Sequence, residues 1–304
     1  MSADKSSTWP VVQIKPFLDY LFSECGLAVN TVLAYKRDLR RFNNFCKQQQ
    51  LHQPNNLIPL DVQNFARNLF QLHLSTSTIA RHLVTVRMFM RFHLLNRLVD
   101  HDICSLLETP KTWQRLPRVL SKQQTVTLIE SVDPDDPLFL RNRALLELLY
   151  ATGMRASELA DLELAGVNFQ IGFIRCIGKG RKERIIPVHE SALEMLKQYQ
   201  QQLRPTLLKE KTCDNLFVSR TGRPLSRIEV WRIVKRAALI AGMAGNVTPH
   251  TLRHCFGTHL LQGGADLRTV QEMLGHADVT TTQIYTHVDQ QHLRSIHKKY
   301  HPRG

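Results

Sequence analysis

Residues 248–261 read TPHTLRHCFGTHLL, which places His250, Arg253, His254 and His259 on one short segment. Histidines this close suggest a metal, whereas an arginine among them suggests a phosphate. The zinc-protease pattern H-E-x-x-H needs a glutamate where this sequence has H-T-L-R-H. A cation within the ligand set opposes a divalent ion, and no neighbouring Asp, Glu or Cys completes a coordination shell. No metal site is expected. His250 and Arg253 are three apart, so on a helix they share a face. Arg makes bidentate, charge-assisted bonds to two phosphate oxygens, and His exchanges a proton near neutral pH. The segment therefore reads as a phosphate holder.

The whole chain agrees with an anionic partner. It has 304 residues and a formal net charge of +14. Lys and Arg that neutralise phosphates release counterions, so such an excess favours nucleic acid over a plain soluble surface. A membrane partner is not expected, because no apolar run approaches the length of a spanning helix. Cys25, Cys46, Cys104, Cys176, Cys213 and Cys255 are scattered with no C-x-x-C pair, the usage of free thiols in a reducing compartment. The start, MSADKSSTWP, has no apolar signal core, so a cytoplasmic protein is expected.

Upstream, NTVLAYKRDLRRFNNFC (30–46) carries Val32, Tyr35, Leu39, Phe42 and Cys46 at helical spacing, with Asn30 or Thr31 as cap. Lys36, Arg37, Arg40 and Arg41 lie off that stripe. Residues 77–95 repeat the theme, with Ile79, Leu83, Val86, Met90 and Leu94 flanked by Arg81, Arg87 and Arg91. One basic face is ordinarily just solvated; two suggest a DNA-binding module. LLETPKTWQRLPRVLS (106–121) then reads as a linker, with Pro110 and Pro117. Beyond it come helices opened by Ser121 and ended by Gly153. GFIRCIGKGRKERIIPV (172–188) has the pattern of a β-hairpin. Further helices follow to the end, one of them capped by Asp266 and stopped by Gly275. The expected class is mainly α with a small β-sheet in the second domain.

Four places in that domain concentrate polar chemistry. ATGMRASELADL (151–162) puts Arg155 after a glycine turn and before a short helix, an anion site or a surface ion pair. GKGRKER (178–184) puts Lys179 between two glycines, as a proton donor, a groove contact or a plain turn residue. The opening segment supplies His250 and Arg253. LGHADVTTTQIYTHV (274–288) supplies His276 and Tyr285, the latter by itself an ordinary filler position.

Read together, Arg155, Lys179, His250, Arg253, His276 and Tyr285 form the order R–K–H-x-x-R–H–Y. This resembles the tyrosine recombinase (integrase) family at all six catalytic positions. NTVLAYKRDLRRFNNF and STIARHLVTVRMFMRF resemble that family's core-binding domain. The compact size, the lack of an added arm domain and the ending KKYHPRG are most similar to its bacterial Xer branch. The resemblance implies an N-terminal helical core-binding domain (8–105), a linker (106–117) and a C-terminal α+β catalytic domain (118–304), closing as a clamp on DNA.

It further implies a site-specific DNA recombinase that needs no cofactor, metal or ATP. Tyr285 would be the nucleophile, forming a 3′-phosphotyrosyl bond. Arg155, Arg253 and His276 would hold the non-bridging oxygens, with His250 as base and Lys179 as acid. The implied partners are double-stranded DNA with a specific recombination site, a second related recombinase in a cyclic heterotetramer, and a septal DNA translocase. The implied role is resolution of chromosome or plasmid dimers at cell division. A phage or transposon integrase and a catalytically inactive DNA-binding relative are the competing readings. His254 and His259 are expected to be structural.

Overall fold

A computed structural model describes residues 10–100, 103–104, 119–178, 183–243, 247–275 and 287–304. The chain divides into two compact units, Met1–Arg115 and Leu116–Gly304.

The first unit holds α1 (Val11–Ser23), α2 (Val29–Gln48), α3 (Pro59–Gln71) and α4 (Thr76–Leu95). The stripes expected on α2 and α4 do face one core. Leu39, Phe42, Cys46, Ile79, Val86 and Met90 are all buried in it beside Phe17, Phe65 and Phe89. The start of α2 differs from expectation. Ala28 stands at the N-cap with no side-chain hydrogen bond, and Asn30 and Thr31 fall inside the first turn. Lys36, Arg37, Arg40 and Arg41 are exposed, as is Arg91.

Arg81 departs from the simple basic face. Its guanidinium pairs with Asp38, which is buried on α2. The Thr85 hydroxyl donates to the same carboxylate at 3.0 Å. A buried carboxylate is costly unless charges and donors satisfy it, so this pair locks α4 onto α2 in one register.

The second unit begins with α5 (Lys122–Glu130), α6 (Phe139–Thr152) and the short α7 (Ala156–Ala160). Ser121 caps α5 in a reciprocal box with Gln124, the arrangement that satisfies two free amides at once. A three-stranded antiparallel sheet follows in the order β1 (Val167–Asn168), β2 (Phe173–Ile177) and β3 (Glu183–Pro187). The β2–β3 pairing runs from Phe173↔Pro187 to Ile177↔Glu183. The chain then continues through α8 (Glu190–Gln198), a π-helical turn (Tyr199–Leu203) and α9 (Arg204–Leu208). It ends with α10 (Arg227–Ile240), α11 (Pro249–Gly263), α12 (Leu267–Leu274) and α13 (His287–Tyr300). The class is mainly α with one small sheet.

Helix α6 is the axis of this unit: every residue from Ala144 to Thr152 is buried. That is why its sequence shows little amphipathic periodicity, since a helix covered on all sides needs no polar face. The end of α13 and the residues after it pack on α6. His297 Nε2 donates to the Ala151 carbonyl at 2.9 Å. Arg303 pairs with the buried Glu147 at 3.0 Å. The rings of His189, His297 and His301 stack, the last two 4.6 Å apart. Burial pushes His297 down to about 4, so the stack is neutral and packs as aromatic filler. Of the ending KKYHPRG, His301 is buried against α6 while Lys298 and Lys299 stay exposed.

Candidate active site

Three of the six residues singled out in the sequence lie in the described part of the second unit, and they converge. Gly153 ends α6 in the left-handed conformation (φ 60°). A Cβ there would come within 2.5 Å of the Phe256 ring and 2.9 Å of Leu274. Only glycine fits that φ and that close approach together. The turn buries Met154 and delivers Arg155 to the N-cap of α7, with its guanidinium partly exposed.

Helix α11 brings the other two. Thr248 caps it, accepting from the Thr251 amide at 3.3 Å, and Pro249 occupies the first turn, where its missing N–H costs nothing. His250 therefore stands exposed at the positive end of a four-turn helix, and Arg253 one turn on is buried. Arg253 Nη1 donates to the Gly153 carbonyl and Nη2 to the Leu274 carbonyl, both at 2.7 Å. Burial, with Arg155 adding to it, lowers Arg253 to about 10, so the group stays charged at neutral pH. Arg155, His250 and Arg253 line one open cleft of about 360 Å³, with Arg227 and Trp231 of α10. Two guanidiniums and an imidazole at a helix start are an arrangement suited to an anion.

The remaining histidines of that helix separate. His259 is buried, and its Nε2 donates to the Leu120 carbonyl at 2.9 Å. Its Nδ1 is then the acceptor for the Tyr150 hydroxyl, also at 2.9 Å. It is a structural residue, as expected. His254 is half-buried and lines an adjoining cleft with His250 and Arg253, which places it nearer the site than expected.

Lys179, His276 and Tyr285 lie outside the described residues. Their flanks do not: β2 and β3 precede and follow Lys179, Gly275 precedes His276, and α13 starts two residues after Tyr285. No group of three or more potential metal ligands occurs among the described residues. No helix there is long and apolar enough to cross a membrane.

The model of the "phage integrase family" matches residues 118–292, and that of its N-terminal SAM-like domain matches residues 14–96. This chain belongs to the phage integrase family. Among relatives of this recombinase are two named tyrosine recombinase XerD. The one from Staphylococcus saprophyticus is 42% identical over 96% of this chain and 99% of its own length. The one from Staphylococcus aureus is 41% identical over the same shares. The chain is thus a tyrosine recombinase of the Xer type, a DNA strand-transferring site-specific recombinase. A crystal structure of XerA recombinase is 27% identical, with a TM-score of 0.50 over 96% of this chain and 99% of that one. A lambda integrase dimer bound to a core site shares the fold, with a TM-score of 0.70 at 16% identity over 93% of this chain and 94% of that one.

Two residues of the recombinase escaped the sequence reading. Glu158 is buried and accepts from the Arg155 amide at 2.8 Å and the Arg155 guanidinium at 2.7 Å. Arg184 on β3, also buried, grips the same carboxylate with two further bonds of 3.2 and 2.8 Å. Burial alone would raise Glu158, but the hydrogen bonds and charge of Arg184 and Arg155 outweigh it and hold it at about 2. The capping position of Glu158, three after Arg155, was the visible signal. Nothing local to GRKER marks Arg184 as its partner.

Proposed function

We propose that this recombinase cuts and rejoins DNA at a specific site through a covalent bond to Tyr285. The observation that carries the reading is the convergence of Arg155, His250 and Arg253 on one cleft at the start of α11. When a nucleophile attacks a phosphodiester, charge grows on the non-bridging oxygens. Preorganised cations in a shielded site stabilise that charge most strongly. Arg155 and Arg253 take this task, with His276 as a further donor. Glu158 is committed to two arginines and offers no ligand to a divalent ion, so the arginines, not a metal, supply the positive charge.

The Tyr285 oxygen attacks phosphorus and the bond to the 5′-oxygen breaks. A free phenol has a pKa of about 10, so the attack needs a proton acceptor, and His250 is that base. The departing 5′-alkoxide takes its proton from Lys179. Bond energy is kept in the 3′-phosphotyrosyl ester. A 5′-hydroxyl from another strand reverses the step without ATP.

Both units bind the duplex, and four protomers join two sites, with a second related recombinase as partner. The relatives named XerD support a role in resolving chromosome or plasmid dimers at cell division; a cytoplasmic location and a septal DNA translocase as partner belong to the same reading. In the deciding experiment, a nicked suicide substrate is incubated with the protein in EDTA. A protein-linked 3′ end is the expected product. Cleavage to diffusible ends that EDTA abolishes would show a metal-dependent nuclease, and binding without an adduct an inactive relative.

Lys179 has its own test. Lys179→Ala is expected to slow cleavage roughly 100-fold or more on ordinary DNA. On a substrate with sulfur at the bridging 5′ position the leaving thiolate needs no acid, and the variant should approach the parent rate. If sulfur restores nothing, the lysine is a groove contact.

A further inference from the structure

Four candidate elements of the site come from distant parts of the chain, and their spacing needs a physical cause. Arg253 explains part of it by bonding the carbonyls of Gly153 and Leu274. Arg184 supplies the rest. Its Nε donates to the Met273 carbonyl at 2.9 Å, and its two Nη atoms donate to both oxygens of Glu158. Met273 and Leu274 end α12, so two of that helix's unpaired terminal carbonyls are taken, one by each arginine. Gly275 lies flat against the Arg184 side chain. A Cβ there would meet Arg184 Cδ at 3.0 Å and its Nε at 3.2 Å. His276 is the next residue. On the other side, Glu158 holds Arg155 through the guanidinium and the amide. Arg184 itself sits on β3, the strand that follows Lys179 in the chain.

We infer that Arg184 is a positioning residue for strand cleavage. It ties Arg155, through Glu158, to the end of α12 from which His276 follows, and so sets the spacing of the phosphate clamp. This inference rests on the reading of the cleft given under Proposed function. The role requires a planar fork of donors plus Nε, because three acceptors from two elements are bound at once. A lysine keeps the charge but presents a single point donor. The effect is on geometry at the reacting phosphate, where a misplacement of about 1 Å costs on the order of 100-fold in rate.

The test measures single-turnover cleavage of a suicide substrate at saturating DNA, recording both the rate constant and the final fraction of protein in adduct. Arg184→Lys is expected to lower the rate constant roughly 100-fold. The final adduct fraction and the dissociation constant for DNA should stay within about threefold of the parent. In a Glu158→Gln background the same change should add little, because the two residues act through one link. A merely structural role would lower the adduct fraction and leave the rate constant of the surviving protein intact; that result overturns the inference. Arg184→Gln is the second variant should the lysine form fail to fold. Arg155→Ala serves as the control. If it cleaves at the parent rate, the reading of the cleft fails and this inference with it. If it is inactive while Arg184→Lys keeps the parent rate, only the inference fails.

Discussion

Tyr285→Phe is expected to abolish the protein–DNA adduct altogether while leaving DNA affinity within about threefold. The substitution removes one hydroxyl and keeps the ring, so packing and the electrostatic surface are unchanged. Without that oxygen no covalent ester forms, and nothing else in the set Arg155, Lys179, His250, Arg253 and His276 replaces it. His250 is a base in this scheme and, without the phenol, has no nucleophile's proton to accept. The loss is therefore of the whole covalent pathway, beyond the roughly 100- to 1,000-fold effect of removing one stabilising donor. Trapping on a nicked substrate, followed by denaturing electrophoresis and peptide mapping, checks it. An adduct recovered from the phenylalanine variant would remove Tyr285 as nucleophile and redirect attention to another hydroxyl.

Arg253→Ala is expected to produce the next largest effect, and on two quantities at once. Cleavage should fall by roughly 1,000-fold or more, because a preorganised cation at the developing charge is lost. Stability should fall as well. Arg253 donates to the buried Gly153 and Leu274 carbonyls, and a buried acceptor left without its donor costs about 1–3 kcal/mol. Two N–H donors hold the backbone, and the remainder of the guanidinium is free to face the cleft. This division of labour also predicts that Arg253→Lys behaves nearly like Arg253→Ala. One ammonium on a flexible stem cannot span two carbonyls and a phosphate. Single-turnover rates with thermal unfolding of the same preparations measure both effects. A lysine variant within about tenfold of the parent rate would show that charge alone suffices and that the fork geometry is incidental.

The sequence alone determined the local features. Stripes of Leu39, Phe42 and Cys46, or of Ile79, Val86 and Met90, repeat at 3.6 because one side of each helix meets a core. Ser121 and Asp266 mark helix starts and Gly153 and Gly275 mark stops, because caps satisfy free amides and left-handed ends suit glycine. Two β-prone runs around a glycine turn marked the hairpin. The order R–K–H-x-x-R–H–Y carried the resemblance to the tyrosine recombinase family. Such signals are legible because each lies within a few residues of its partner.

What the tertiary structure alone decided depends on partners far apart in the chain. Arg81 looked like part of a basic face, yet its partner Asp38 lies across α2. The Ala28 cap shows the same limit at short range, since α2 starts ahead of the better capping residues Asn30 and Thr31. The ending KKYHPRG read as a mark of the Xer branch, and its His301 turned out to pack on α6. Arg184 read as one more basic residue of a turn, and only folding places it between Glu158 and the end of α12. A buried charge must find its counter-charge in space, not in sequence. That requirement chose the pairs Asp38–Arg81, Glu158–Arg184 and Glu147–Arg303, and no periodicity along the chain encodes them.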